Sequence, residues 1–251
     1  MHHPEIGLFF LLVAFIYAAV GFGGGSSYLA ILALYALPFR EMRLIALVCN
    51  IIVVTGSCII FIRNKQVDLK KILPMVLVSV PMAFAGAVFR INQTTFFILL
   101  GISLVMAAVL LWITAKPGKE TTVAAGGRGS VIKNSLLGGA IGFLSGMVGI
   151  GGGIFLSPVL NLMNWDTPKK IAATASIFIL LNSLSGIAGQ LYNLPAEINW
   201  LQVVVLALAV FIGGQLGARL GAVKLDQLLV RRITAAVVFF AGMEILFKHF
   251  S

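Results

Sequence analysis

Two glycine triplets, each set inside a strongly apolar run, constrain this chain more than any other feature. Gly23-Gly24-Gly25 follows Gly21-Phe22 and precedes Ser26-Ser27, and Gly151-Gly152-Gly153 follows Gly149-Ile150 about 128 positions later. Glycine pays the largest backbone entropy cost of any residue on ordering, so a triplet belongs in a helix only where the helix breaks. In water such a stretch is a flexible turn. In a bilayer, unwound backbone survives only where it is buried in protein or lines a cavity, because lipid cannot satisfy free N–H and C=O groups. Two breaks in matching surroundings predict one internal site built from two halves.

The bilayer setting follows from composition. Of the 251 residues 60% are apolar and only 10% charged, and the mean hydropathy is +1.06, beyond what a soluble domain carries. The formal charge of +10 does not indicate a nucleic-acid partner. Its lysines and arginines sit in short gaps between apolar runs and form no stripe on a polar helix face. The partner this composition implies is the lipid bilayer. Cys49 and Cys58 are nine positions apart in one run, on opposite faces of a helix at 100° per residue, and read as small core residues. The N-terminus enters its first apolar run without a basic segment or a small-residue cleavage site, as expected of a retained helix.

Apolar runs of helical length fall at 5–22, 26–38, 42–62, 69–90 and 95–114, and again at 131–150, 153–163, 169–192, 199–221 and 228–247. Residues 115–130 between the two series are polar and glycine-rich. Val20-Gly21-Phe22-Gly23 superposes on Val148-Gly149-Ile150-Gly151, and Gly86-Ala87 falls near Gly217-Ala218. Internal duplication is the simplest account. The expected architecture is an all-α polytopic membrane protein of two repeats, 1–114 and 131–251. Each is a glycine-broken helical hairpin followed by three transmembrane helices.

The positive-inside rule orients these repeats. If each break makes a hairpin, one side of the membrane holds Arg63, Lys65, Lys70, Lys71, Lys116, Lys119, Arg128, Lys133, Lys169, Lys170, Arg219, Lys224, Arg231 and Arg232. The other side holds only Arg40, Arg43, Arg90 and Lys248. Continuous crossings would split the same residues evenly. The hairpin arrangement is therefore preferred, with the 115–130 linker cytoplasmic, both termini outside and the two repeats inverted.

In that arrangement the helices that restart at Ser26 and Ile154 point inward from opposite faces and meet near the midplane. A helix N-terminus offers free N–H groups and about half a positive charge, which suits an anion. One helix end contributes only about 0.3–2 kcal/mol, so several charge-assisted hydrogen bonds, each about 1.5–3 kcal/mol, must share the load. Candidate binding residues are Gly23, Gly24, Gly25, Ser26 and Ser27 in the first break and Gly151, Gly152 and Gly153 in the second. Asn50, Thr174, Asn182 and Gln215 join them as polar residues deep in apolar runs. Thr174, Asn182, Ser185 and Gly189 share one face of a helix, directed at a cavity or a partner helix. The glycines from Gly213 to Gly221 read as a helix-packing motif, and Arg90 and Arg219 as residues that snorkel at helix ends.

The three histidines lie at the termini, at His2, His3 and His249. Histidine-based hydrolysis or a histidine metal site is therefore not expected, and the pattern predicts neither an enzyme nor a cofactor. Among the acidic residues only Glu244 lies within a predicted helix, near its end, which argues against a buried carboxylate relay. Export of an anion can run on an interior-negative potential worth about 2.3 kcal/mol per charge per 100 mV, or about 4.6 for a dianion.

The run Val20-Gly21-Phe22-Gly23-Gly24-Gly25, its second copy Gly146-Met147-Val148-Gly149-Ile150-Gly151-Gly152-Gly153-Ile154-Phe155, and Gly214-Gln215-Leu216-Gly217-Ala218-Arg219-Leu220 together resemble the TauE/SafE family of sulfite exporters. The likeness spans nearly the whole chain. It implies a multi-pass transporter of the cell membrane that moves a small anionic substrate, sulfite or an organosulfonate. A passive anion channel and a transporter of small carboxylates remain the rival expectations. Ser26-Ser27 stands where the second copy has Ile154-Phe155, so the two half-sites are chemically unequal.

Overall fold

The computed structural model describes residues 5–19, 22–114, 128–193, 198–221 and 227–250. Every regular element among them is helical. The order is α1 (Glu5–Ala19), α2 (Gly25–Leu34), α3 (Phe39–Arg63), α4 (Leu69–Val88), α5 (Gln93–Thr114), α6 (Arg128–Val148), α7 (Gly153–Leu162), α8 (Pro168–Gln190), α9 (Trp200–Gly221) and α10 (Gln227–Phe250), with a 3-10 turn at Leu191–Asn193. Among the described residues six helices, α3, α4, α5, α6, α8 and α9, are long and apolar enough to cross a membrane. The chain is a multi-pass membrane protein.

Each helix matches a run read from the sequence to within a few residues, and two runs end early for visible reasons. The first stops at Ala19, and the Phe22 N–H bonds back to the Tyr17 carbonyl at 2.9 Å. The second stops at Leu34, because Ala36 adopts a left-handed φ of 54° and Pro38 caps the next helix. Arg128, Gly129 and Ser130, expected in the linker, form the first turn of α6. Val20, Gly21 and the linker residues 115–127 lie outside the described residues.

The two short helices set the depth of the breaks. α2 and α7 have 10 residues each, about 15 Å at 1.5 Å per residue, or half of a hydrocarbon core of about 30 Å. Neither spans on its own. α1 and α2 fold back on one another: Phe10 stacks on Tyr28 at 4.6 Å, Tyr17 and Ser27 share a 2.7 Å hydrogen bond near the break, and Glu5 meets Tyr35 at the open end. The pair is a hairpin.

Small residues let the long helices touch backbone to backbone, which replaces the hydrophobic drive that lipid does not supply. Gly142 and Gly146 of α6 press on the backbone of Ser79 and Ala83 in α4, and Gly86 of α4 presses on the Phe143 carbonyl. In the same way Gly213 and Gly217 of α9 press on the carbonyls of Leu11 and Phe15 in α1. The wider packing repeats this exchange. α4 packs on α8 and α9 on α3, α7 packs on α5 and α2 on α10, while α3 faces α8 and α5 faces α10. α5 and α10 run antiparallel: Phe97 near the start of α5 stacks on His249 near the end of α10 at 4.2 Å, and Gly101 meets Gly242 further along.

A polar clamp closes the end of the bundle where α4 and α8 begin. Lys71 of α4 donates to the Asp166 carboxylate at 2.7 Å and lies 5.3 Å from the centre of the Trp165 ring. Lys170 stands 3.8 Å from the other carboxylate oxygen, which also accepts from the Thr167 N–H at 2.8 Å. Burial of Asp166 pushes its carboxyl pKa up. Hydrogen bonds from Lys71 and Thr167 and the charges of Lys71 and Lys170 outweigh that, and the pKa settles below the ordinary value.

Candidate functional site

The two breaks have the same local cause. Gly24 (φ 83°, ψ 1°) and Gly152 (φ 84°, ψ −15°) are the residues before α2 and α7, both left-handed, and neither helix start carries a side-chain cap. A residue with a Cβ pays about 1–2 kcal/mol in that conformation. A Cβ at Gly24 would also meet the Tyr28 ring at 2.8 Å, and one at Gly152 would meet Phe178 at 2.8 Å. Regular bonding begins with Tyr28 N–H to the Gly24 carbonyl at 3.0 Å and Leu156 N–H to the Gly152 carbonyl at 3.1 Å. In α7 the Phe155 N–H also reaches the Gly152 carbonyl, at 3.2 Å, while the first amides of an α-helix have no intrahelical acceptor.

The structure brings the breaks into contact. A Cβ added at Gly25 would lie 2.6 Å from the Ile150 carbonyl oxygen, so the first break rests on the second. Asn50 of α3 and Ile179 of α8 stand between them. Gly23 and Gly25 press on the Asn50 amide, and a Cβ at Gly151 would meet Asn50 Nδ2 at 2.7 Å, Ile179 Cγ2 at 3.0 Å and Ser183 Oγ at 3.0 Å. Gly153 presses on Ile179. Asn50 is fully buried and donates through Nδ2 to the Ile150 carbonyl at 2.9 Å. In this conformation these two side chains fill the gap between the breaks.

Several buried polar atoms around the breaks have no hydrogen-bond partner. They are the Tyr28 hydroxyl, Asn50 Oδ1, Ser145 Oγ and Ser183 Oγ, with both amide atoms of Asn182 one residue before Ser183. Tyr28 lies against Gly24, Ser145 against Gly152 and Ser183 against Gly151, so the first break has one such hydroxyl beside it and the second has two.

Other residues read from the sequence sit further off. Ser26 and Ser27 are buried, but Ser27 is engaged with Tyr17 on the α1 side. Thr174 is buried about one and a half turns before Ile179 on α8. Gln215 of α9 lies beside Gly56 of α3, about 9 Å along α3 from Asn50 at 1.5 Å per residue. The stripe on α8 divides: Ser185 donates to the Val80 carbonyl of α4 at 2.6 Å and Gly189 packs on Ala87 and Phe84 of the same helix. That end serves a partner helix.

Sequence reasoning missed Ile179, Tyr28, Ser145, Ser183 and Arg43. Ile179 carries no polar signal, and Ser183 is rotated about 100° from Asn182. Ser145 directly precedes the second motif and Tyr28 directly follows the first, so proximity to the glycines was the available clue. Arg43 donates to the Gly146 carbonyl at 2.8 Å and to that of Ala87 at 3.4 Å, and its backbone and Cβ press on Gly149 (φ 87°) at the second break.

Comparison with known proteins places the chain in a family. A probable membrane transporter protein of Sinorhizobium fredii, y4hK, is 28% identical over 241 residues, covering 96% of this chain and 97% of the relative. A second probable membrane transporter protein, YunE of Bacillus subtilis, is 28% identical over 216 residues, covering 79% of this chain and 78% of that protein. No solved structure matches significantly. The family model described as Sulfite exporter TauE/SafE matches residues 6–245, nearly the whole chain and both breaks. The chain is therefore a membrane transporter that belongs to the TauE/SafE family.

Proposed function

We propose that the chain exports a small sulfur-containing anion, sulfite or an organosulfonate, through a site formed where the two glycine breaks meet. The observation that carries this reading is the set of buried, unpartnered polar atoms around the breaks, on Tyr28, Asn50, Ser145 and Ser183. An unpaired buried polar group costs about 1–3 kcal/mol, and intramembrane polar groups mark substrate paths. Three hydroxyls can turn to donate to an oxyanion and Asn50 supplies amide hydrogens, while Gly23, Gly24, Gly25, Gly151, Gly152 and Gly153 let backbone N–H groups approach. Conduction requires a guest that enters readily and leaves readily. A gap with hydroxyls and helix ends meets that need better than a buried cation. Ser26, Ser27, Thr174, Asn182 and Gln215 continue the path on either side.

The same reading takes the chain as two inverted repeats, 1–114 and 131–251, joined by a cytoplasmic linker at 115–130 with both termini outside. The reciprocal packing supports it. A two-fold axis that exchanges α5 with α10 while they run antiparallel lies across the helices, in the membrane plane. Asn50 and Ile179 then act as the closed plug, and withdrawal of α3 or α8 from the breaks admits substrate.

The test is flux in liposomes holding the purified chain. Sulfite or a sulfonate is expected to move saturably and to exchange across the membrane, and Asn50→Leu is expected to abolish that flux while the protein stays folded. Non-saturating flux without exchange assigns a passive channel, preference for small carboxylates overturns the substrate class, and full activity of Asn50→Leu overturns the site.

A further inference from the structure

Three of the four cationic residues on the sparsely charged side of the chain gather in one place. Arg40, Arg43 and Arg90 line a small open recess, with about 20 Å³ of enclosed space, where α3 begins and α4 and α8 end. Gln190 and Ala87 complete its floor, and no acidic side chain is among the described residues that line it. Glu41, between two of the arginines in sequence, is turned to α9, where it accepts from the Asn199 N–H at 3.2 Å.

The deep part of the recess is built, with side chains fixed and donors left over. Arg43 and Gln190 are each 6% exposed. Arg43 spends Nη2 on the carbonyls of Gly146 and Ala87. Its Nε–H and the Nε2 amide of Gln190 have no hydrogen-bond partner. A buried guanidinium without a counter-charge is unfavourable, and buried charges are ordinarily paired. Here two more guanidiniums stand near it instead.

We infer that this recess is a second anion site, distinct from the breaks, that holds a single oxyanion group. A sulfite or a sulfonate presents three oxygens on one centre and inorganic phosphate four, which suits several converging N–H donors better than the two oxygens of a carboxylate. The group is held by the Arg43 Nε–H and the Gln190 amide, with Arg40 and Arg90 supplying charge at the rim. Because Arg43 also packs on Gly149, the recess adjoins the second break and lies at its mouth. Three guanidiniums there raise the local anion concentration. The site rests on its own residues and stands whether or not the breaks bind substrate.

The test is titration calorimetry of the detergent-purified full chain with sulfite, methanesulfonate, inorganic phosphate and dihexanoyl phosphatidylglycerol, the last reporting a lipid headgroup. The expected result is binding of at least one oxyanion, weakened tenfold or more in the Arg40→Gln/Arg90→Gln double variant. Both residues are exposed, so that variant leaves the buried Arg43 and Gln190 in place. Binding is expected to survive in Asn50→Leu, which alters only the breaks. Arg43→Gln is expected to remove binding altogether, and where it fails to fold the double variant decides. Binding by the free anions or by the headgroup alone assigns the source and supports the site. Absence of oxyanion binding, or wild-type affinity in the double variant, overturns it.

Discussion

The side-chain amide of Asn50 donates to the main-chain carbonyl of Ile150 at 2.9 Å, across 100 residues of sequence, and ties α3 to the second break. Asn50→Leu keeps the branched shape, removes this bond and ends the unpartnered burial of Oδ1. The two effects partly cancel, so the expected loss of stability is only about 1–2 kcal/mol, read as a modest fall in detergent Tm. Asn50→Asp puts a carboxylate against a carbonyl oxygen in a dry gap and is expected to cost about 3 kcal/mol or more.

Gly151 and Gly7 form a matched pair of tests. Gly151 has φ 84° and no room, with Asn50 Nδ2 at 2.7 Å from its missing Cβ, whereas Gly7 in α1 has nothing within 4 Å. Gly151→Ala is expected to destabilise by about 2–4 kcal/mol from backbone strain and overpacking. Gly7→Ala is expected to stabilise by about 0.5–1 kcal/mol. Thermal unfolding of both variants, with equal effects as the failing result, checks the assignment of the break.

Acid should loosen the Lys71–Asp166 clamp. The Asp166 carboxyl titrates lower in the folded chain than in the unfolded one, so its stabilisation is complete above the ordinary carboxylate value of about 4. It is lost as pH falls from there through the depressed folded value. Asp166→Asn should lower the Tm at neutral pH and reduce the slope of Tm against pH below about 4. Parallel curves for variant and parent would count against the clamp.

Ala36 and Asn164 follow the two short helices, 128 positions apart in number, and both are left-handed, at φ 54° and 50°. Asparagine tolerates that conformation and alanine does not. Ala36→Asn is expected to raise stability by about 0.5–1 kcal/mol and Asn164→Ala to lower it by a similar amount. Opposite signs in thermal unfolding are the required outcome.

Most of the helix pattern was legible because most interruptions have a chemical marker: a glycine triplet, a proline or a cluster of lysines. The early end at Leu34 was not, since an alanine in a left-handed turn leaves no trace in composition. Asn50 could be found as a polar residue in an apolar run, and the meeting of the breaks could be expected from the likeness of the two glycine motifs. Ile179 could not be found, because only the packed structure reveals that an aliphatic side chain fills the gap. The partner of Ser27 was hidden for the same reason: its hydroxyl adjoins the glycines in sequence and is hydrogen-bonded to Tyr17 in space. The cluster of Arg40, Arg43 and Arg90 joins residues 50 positions apart and emerges only from the fold.

The close contact of α1 with Gly213 and Gly217 bears on how the molecule is made. α1 is made well before its tight neighbour α9, which begins at Trp200, so it must wait in lipid or beside the insertion machinery until α9 has been translated. Neither α1 nor α6 has its main neighbour within its own half. Assembly is thus a late interlocking of two unfinished pieces, and severing the chain after Thr114 would leave fragments that need each other to acquire their shape.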